Sequence, residues 1–212
     1  MSELDVRSTP GPPNSASATL EGQPATPPVG ESRPHSQGAL SALAEIAETV
    51  ILTIIIFLLI RTAVQNFRID GDSMEPNLHD RQFLLISKLA YRFDEPRRGD
   101  IVVFRFPRDP ERDFIKRIVG LPGETVEIRR GQVFIDGQPL AEPYNPRIGS
   151  YDAPPITLGR DEVYVLGDNR NNSSDSHTWG PLPLANVIGK AIIIYWPPKD
   201  WAIIPSYSSA VP

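Results

Sequence analysis

The hydrophobic and polar positions form two different patterns on either side of residue 64. Residues 50–60 are apolar on every face of a helix, and the largely apolar stretch covers the 18 residues from 47 to 64. A helix of that length is about 27 Å long, close to the roughly 30 Å hydrocarbon core of a bilayer. Because Arg61 can extend towards the lipid head groups, the pattern predicts a single transmembrane helix over residues 39–64. A buried helix in a soluble core is the alternative.

After residue 64 the chain alternates short apolar runs with turn signals. The runs are rich in β-branched and aromatic residues, which is typical of strands; they cover residues 83–86, 100–104, 114–119, 125–128, 132–135, 162–166 and 190–195. Tight turns are predicted at Arg130-Gly131 and Asp136-Gly137. No long helical segment separates the runs, so we expect a mainly β fold, an antiparallel β-sheet or barrel-like domain. Residues 141–160, which include two consecutive prolines, are interpreted as a long surface loop.

Residues 1–38 follow neither pattern. Pro, Ser, Ala, Gly and Thr dominate and aromatic residues are absent, so this segment cannot bury enough apolar surface to offset its ordering entropy. We expect a disordered tail. A cleaved signal peptide reaches its apolar run much sooner after basic residues, so the apolar segment is expected to be retained. The predicted division is therefore a tail over 1–38, a membrane helix over 39–64 and a β-rich domain over 65–212.

The composition excludes several classes of protein and site. The net charge of −5 argues against a nucleic-acid partner, which usually requires a basic patch. The absence of cysteine excludes thiol catalysis, thiolate metal sites and disulfides. His35, His79 and His177 are scattered without metal-binding spacing, so we expect neither a metal nor another cofactor. Nothing in the sequence indicates the oligomeric state.

Two polar residues in unusual surroundings suggest nucleophilic chemistry. Ser73 lies in a stretch rich in turn-forming residues soon after the apolar segment, and a simple turn former is the alternative reading. In a strand, Lys116 would share an apolar face with Phe114 and Ile118. Burial lowers the pKa of a lysine, and a neutral amine can accept the proton of a serine hydroxyl. A lysine that protects an edge strand is the alternative.

A third polar stretch, residues 167–180, contains almost every type of hydrogen-bonding side chain. Asp168, Arg170 and Asp175 lie close together in sequence with Trp179, and such a group could form a buried ion-pair network that holds a site rigid. Ser173 could orient a neutral lysine amine. A plain solvated loop is the alternative.

Four segments in this order resemble the type I signal peptidases, the membrane-anchored Ser/Lys leader peptidases. They are residues 71–78, 98–104, 113–124 and 167–180, and the resemblance covers roughly residues 45–195. It implies that Ser73 is the nucleophile, that Lys116 is the general base, and that Ser173 hydrogen-bonds this lysine. The further site-holding residues that it implies are Asp175, Asp168, Arg170, Met74 and Pro76.

The resemblance also implies a substrate and a location. The expected enzyme removes signal peptides from exported preproteins after small residues at positions −1 and −3, and its partners are these peptides and the lipid bilayer. Its β-rich catalytic domain would lie on the extracytoplasmic side of the plasma membrane, with the thylakoid membrane as an alternative, so the tail would be cytoplasmic. Three positions depart from the family pattern: Asn77 replaces the usual Thr, His177 replaces a common Arg, and Gly71 replaces a serine that donates to the oxyanion in some members.

Three other functions fit parts of the sequence. A soluble Ser/Lys self-cleaving repressor would use the same pair of residues, but would carry a DNA-binding domain in place of residues 1–64. A Ser-His-Asp hydrolase could use Ser73 with His177 and Asp175. A membrane-tethered β module could bind a partner through residues 141–160, and it would not need Ser73.

Overall fold

The computed structural model describes residues 37–207, so the predicted tail lies outside the described residues except for its last two positions. Helix α1 covers Gln37–Ala63 and ends one residue before the predicted limit. Within it, Ser41–Ala63 contains an 18-residue window that has a mean hydropathy of 2.5 and is not buried against other parts of the protein. By its length and composition, this helix could cross a membrane. The residues from Ala47 onwards form a unit that contains the end of this helix and the β-rich region.

The β-rich region contains short strands joined mainly by turns and two short helices. The strands are β1 (Val64–Arg68), β2 (Phe83–Ser87), β3 (Ile101–Phe106), β4 (Asp109–Gly120), β5 (Thr125–Arg129), β6 (Gln132–Ile135), β7 (Gln138–Pro139), β8 (Ala153–Thr157), β9 (Glu162–Leu166), β10 (Leu182–Pro183), β11 (Val187–Trp196) and β12 (Ala202–Ile203), and the helices are α2 (Ala90–Phe93) and α3 (Ser176–Trp179). These strands pair antiparallel throughout. The predicted mainly β, antiparallel fold with one N-terminal apolar helix is therefore confirmed.

The strands form two sheets. The larger has the order β1-β2-β11-β3-β4-β9-β10, with β12 added to β11, and the smaller has the order β7-β6-β5-β8. Strand β4 pairs with β3 over most of its length, but with β9 only from Arg117 onwards. The first part of β4 and the outer side of β1 are therefore unpaired edges among the described strands.

All seven predicted strands are present, and the two predicted tight turns have the expected geometry. Arg130 and Gly131 have φ angles of 49° and 79°, and Asp136 and Gly137 have φ angles of 48° and 82°. Two consecutive positive φ angles are the mark of the turn type that favours a right-twisted hairpin. The first turn joins β5 to β6, as the sequence predicted, and the second joins β6 to β7, a strand that was not predicted.

The interpretation of residues 141–160 as a surface loop is wrong. Strand β8 lies within this segment and pairs with β5, and Tyr144 is only 3 % exposed. The consecutive prolines Pro154 and Pro155 argued against a strand, but β8 is at the edge of the smaller sheet. An edge strand tolerates proline because one of its sides needs no hydrogen-bond donors.

Candidate active site

Ser73 lies in the segment that joins β1 to β2, and the neighbouring Met74 fixes this segment to the core. The Met74 side chain is fully buried, and its carbonyl oxygen accepts hydrogen bonds from the N–H groups of Asn77 and Leu78 at 3.1 and 3.0 Å. Gly71 has a φ of 98°, which a glycine adopts without strain. We call residues 71–78 the nucleophile turn. None of the hydrogen bonds described within residues 37–207 uses the backbone N–H of Ser73.

Lys116 approaches Ser73 from β4. Its Nζ lies 2.8 Å from Ser73 Oγ and donates a hydrogen bond to the carbonyl oxygen of Ile115 at 2.8 Å. Only 4 % of Lys116 is exposed. Burial lowers the pKa of its amine to about 8, against the opposing effect of the Asp175 and Asp168 carboxylates. A substantial neutral fraction of a lysine near pH 7 to 8 is what a general base for a serine hydroxyl requires.

On the opposite face of β4, Arg117 forms a bidentate ion pair with Asp168. Its Nε and Nη2 donate to the two carboxylate oxygens at 2.8 and 2.6 Å, and its Nη1 donates to the Gly99 carbonyl oxygen at 2.9 Å. Both side chains are at most 2 % exposed. Because arginine keeps its charge even when buried, this pair permanently joins the strand of Lys116 to the loop that begins at Gly167.

Asp175 organises the same loop from its other end. It is completely buried and caps helix α3. One carboxylate oxygen accepts a hydrogen bond from the Gly167 N–H at 2.9 Å, and the other lies 2.5 Å from His177 Nδ1. The His177 ring in turn stacks on Tyr151, with ring centroids 4.0 Å apart. Among the described residues, no hydrogen bond joins His177 to Ser73.

The Ser173 hydroxyl is buried close to the nucleophile turn. A Cβ atom on Gly167 would collide with this hydroxyl and with the carbonyl oxygen of Ser73, so both groups approach the glycine closely. Within the described part of the chain, the hydroxyl has no hydrogen-bond partner. The hydrogen bond between Ser173 and Lys116 that the resemblance implies is therefore not formed in this structure.

The ion pairs of the loop differ from those that its sequence suggested. Arg170 is buried as expected, but it pairs with Glu142, and its Nε donates to the Gly167 carbonyl oxygen at 3.1 Å. Asp168 pairs with Arg117 instead. Asp168 and Arg170 thus each have an ionic partner in another segment, whereas Asp175 is paired with His177 of the same loop.

Two residues associated with the site lie away from its charged centre. Pro76, in the nucleophile turn, is exposed. Trp179 packs against Phe104 and Phe106, with centroids 5.9 and 5.8 Å apart, so it belongs to the core beside β3. Trp179 therefore contributes to packing and takes no part in the ion pairs.

Four further residues support the site although no supporting role was predicted for them: Arg117, Asn77, Asn169 and Glu142. Asn77 donates to Asp168, and Asn169 donates its backbone N–H to the Ser73 carbonyl oxygen. The sequence does carry a signal for Arg117. In a strand, Arg117 would share a face with the apolar residues Ile115 and Val119, just as Lys116 shares the opposite face with apolar neighbours. The two asparagines and Glu142 lie in ordinary polar surroundings, where the sequence carries no comparable signal.

An open cleft leads to Ser73 and Lys116. The residues that line it come from β1 and its extension, from β4 and from the loop after β9: Phe67, Arg68, Asp70, Ser73, residues 112–116 and Ser174. Within residues 37–207, no group of three or more His, Asp or Glu side chains is arranged to hold a metal ion. Ser73 and Lys116 place a serine hydroxyl and a lysine amine side by side at this cleft.

Comparisons with known proteins show what this chain is similar to. Residues 43–196 match the family "Signal peptidase, peptidase S26". A signal peptidase I of Leptolyngbya laminosa is 43 % identical over 82 % of this chain and 89 % of its own length. The thylakoidal processing peptidase 1 of Arabidopsis thaliana is 36 % identical over 76 % of this chain and 50 % of its own length. A solved signal peptidase I of Enterococcus faecalis is 33 % identical, with a TM-score of 0.39 over 46 % of this chain and 97 % of its own.

The chain is therefore a peptidase, and it belongs to the signal peptidase family. It is a serine endopeptidase of the signal peptidase I type, whose reaction is the cleavage of signal peptides, and α1 is its candidate membrane anchor.

Proposed function

We propose that Ser73 and Lys116 form the catalytic dyad of this peptidase. The observation that carries the proposal is the 2.8 Å separation of Lys116 Nζ and Ser73 Oγ at the end of an open cleft. Burial of the amine supports it, because the lowered pKa of about 8 makes the neutral form available. The supporting residues act through position: Met74 and Pro76 shape the nucleophile turn, while Asp168, Arg170 and Asp175 hold the loop beside it.

In the proposed reaction, Ser73 Oγ attacks the carbonyl carbon of the scissile bond while its proton passes to the neutral Lys116 amine. The oxyanion of the tetrahedral intermediate accepts a hydrogen bond from the backbone N–H of Ser73, which none of the hydrogen bonds in the described part of the chain uses. When the C–N bond breaks, the Lys116 ammonium gives its proton to the leaving amine. Lys116 then removes a proton from water, whose oxygen attacks the acyl carbonyl carbon. As the ester bond breaks, Lys116 returns this proton to Ser73 Oγ. The unpartnered Ser173 hydroxyl is available to hydrogen-bond the amine during these steps.

The substrate would bind as an extended strand between two sheet edges. β1 and β4 are separated by β2, β11 and β3 in the sheet, yet residues from both line the same cleft, so the sheet curves until its unpaired edges approach. Four successive antiparallel pairings leave β1 and β4 running in the same direction. A peptide added between them would form main-chain hydrogen bonds with an edge, as in β-augmentation.

The direction of this strand follows from the position of β1. It begins directly after α1 and leads towards Ser73. A preprotein whose signal peptide lies in the membrane would follow the same course, with its residues before the scissile bond parallel to β1. Phe67, Phe114 and Ile115 would then be the apolar groups near those residues, and we expect them to admit only small side chains at positions −1 and −3.

We further propose that residues 39–64 span the membrane once and that residues 65–212 lie on its extracytoplasmic side, with residues 1–38 in the cytoplasm. The plasma membrane is our first assignment. The similarity to a thylakoidal processing peptidase supports the thylakoid membrane as the alternative. The tail's own sequence offers no further function.

The test uses the full chain, solubilised in detergent with added lipid, and a preprotein with Ala at −1 and −3. We expect a single cut after the −1 residue, and Ser73→Ala or Lys116→Ala should each lower kcat by at least about 10⁴-fold. Product mass locates the cut, and circular dichroism verifies that each variant is folded. Cleavage at the wild-type rate by folded Lys116→Ala would contradict the dyad, while replacing the −3 Ala of the substrate by Phe tests the specificity separately.

A His177→Ala variant distinguishes this dyad from a Ser-His-Asp arrangement. His177 is bound to Asp175 and stacked on Tyr151, whereas Ser73 is next to Lys116. We expect His177→Ala to keep at least about a tenth of the activity, because it removes only a support of the loop. A loss as large as that of Lys116→Ala would favour the histidine mechanism.

A further inference from the structure

The nucleophile turn and the strand of the base are held together by two consecutive residues, Asp168 and Asn169. Asp168 accepts both hydrogen bonds of the Arg117 pair, directly after Lys116 in β4. Asn169 donates its backbone N–H to the Ser73 carbonyl oxygen at 3.0 Å, and its side-chain Nδ2 donates to the carbonyl oxygen of Asp72 at 3.1 Å. These two residues therefore contact both the nucleophile turn and the strand that carries Lys116.

Asn77 adds the link between these two sets of contacts. It follows Ser73 by four residues, and its backbone N–H donates to the Met74 carbonyl oxygen. Its side-chain Nδ2 donates to Asp168 Oδ2 and to the Tyr144 carbonyl oxygen, both at 2.9 Å. Both donors of this amide group are thus in use. The carboxylate that binds Arg117 is consequently also bound to the nucleophile turn.

We propose that Asn77 is a positioning residue that fixes Ser73 relative to Lys116 through the shared carboxylate of Asp168. The proposal rests on the Ser73–Lys116 dyad proposed above. A threonine at this position would have a single hydroxyl donor on a shorter side chain. It could replace one of the two hydrogen bonds, but not both. Asn77 therefore joins the turn to two segments where a threonine would join it to one.

The same contact affects the charge around the base. The Asp168 carboxylate raises the pKa of Lys116, as does that of Asp175. Arg117 and Asn77 both donate to Asp168 and offset its negative charge. Removal of the Asn77 amide would leave more of that charge acting on Lys116, and the ammonium form would be favoured. The acid limb of the pH profile should then move to higher pH.

The experiment compares wild type, Asn77→Ala and Asn77→Thr as full chains in detergent and lipid, using the preprotein with Ala at −1 and −3. We expect Asn77→Ala to lower kcat by about 10-fold to 100-fold, the scale of a small misplacement of a catalytic group, with KM changed by less than about twofold. Its acid limb should move to higher pH. Asn77→Thr should fall between Asn77→Ala and wild type in both respects. Asn186→Ala is the matched control, because it removes an exposed hydrogen bond from a side-chain amide to the Arg105 carbonyl oxygen, outside the nucleophile turn.

Each outcome decides a different claim. Wild-type kcat and an unmoved acid limb in Asn77→Ala would overturn the positioning role. If Asn77→Ala does not fold, Asn77→Thr decides, and wild-type values for this variant would overturn the proposal equally. Lys116→Ala is measured in the same series, and its activity at the wild-type rate would instead overturn the dyad on which the proposal rests.

Discussion

Strand β4 carries two adjacent buried basic residues, one on each face, and their surroundings differ. Arg117 is 1 % exposed and has a carboxylate partner in Asp168 together with a backbone acceptor. Lys116 is 4 % exposed, and none of the ion pairs among residues 37–207 includes it. A buried charge with a bidentate partner remains charged and serves structure. A buried amine without such a partner loses its proton more easily and becomes available for chemistry.

The largest expected effect on stability comes from removing Arg117, the buried cation that is paired with Asp168. Arg117→Met would leave the Asp168 carboxylate buried without its cation, which typically costs about 3–5 kcal/mol in the free energy of unfolding. Urea denaturation followed by tryptophan fluorescence measures the change. The control is Arg112→Met, an exposed arginine on the same strand, which should change stability by less than about 0.5 kcal/mol. Equal losses in the two variants would show that the ion pair has no special weight.

The sequence predicts the unusual surroundings of Lys116 better than it predicts the ion pair of Arg117. Lys116 attracts attention because the period of a strand places it among apolar residues, and that local argument needs no knowledge of the fold. The partner of Arg117 is 51 residues away, and Glu142 is 28 residues from Arg170. Such pairs depend on how strands and loops meet in space, which alternation along one strand does not determine.

The strands show the same division between local and distant information. The seven apolar runs and two glycine turns were recognisable because their signals lie within a few residues. Strand β8 was missed because its prolines suggest a loop unless its position at a sheet edge is already known. Likewise, the contacts of Asn77 depend on Tyr144 and Asp168, which are 67 and 91 residues away.

The pH dependence of cleavage tests the prediction for Lys116, the buried amine without an ion-pair partner among the described residues. Because the proposed base must be neutral and the pKa of Lys116 is about 8, kcat/KM should rise about tenfold per pH unit below that value and level off above it. Initial rates between pH 6 and 10 measure the profile. A His177→Gln variant, which removes the nearby imidazole, should keep the same limb. A flat profile from pH 6 to 8 would mean that Lys116 is not the group that must lose a proton.

The smallest expected effect concerns the stability cost of the base itself. Burial lowers the pKa of Lys116 from an ordinary 10.5 to about 8, so between these values the unfolded chain binds more protons than the folded protein does. The free energy of unfolding contributed by this residue therefore rises with pH across that window, and its cost is complete below pH 8. Lys116→Met removes the cost but also the two hydrogen bonds that the amine donates to the Ile115 carbonyl oxygen and to Ser73 Oγ.

We therefore expect inactive Lys116→Met to be about 1 kcal/mol more stable than wild type at pH 7, since the gain of roughly 3 kcal/mol exceeds the loss of about 2 kcal/mol for two hydrogen bonds. The gain should shrink as pH approaches 10.5. Urea denaturation at pH 7 and pH 10 measures both values. Lys199→Met, at an exposed lysine, should show no such trend. A destabilised Lys116→Met at pH 7 would mean that the amine is compensated like Arg117, and the contrast between the two faces of β4 would fail.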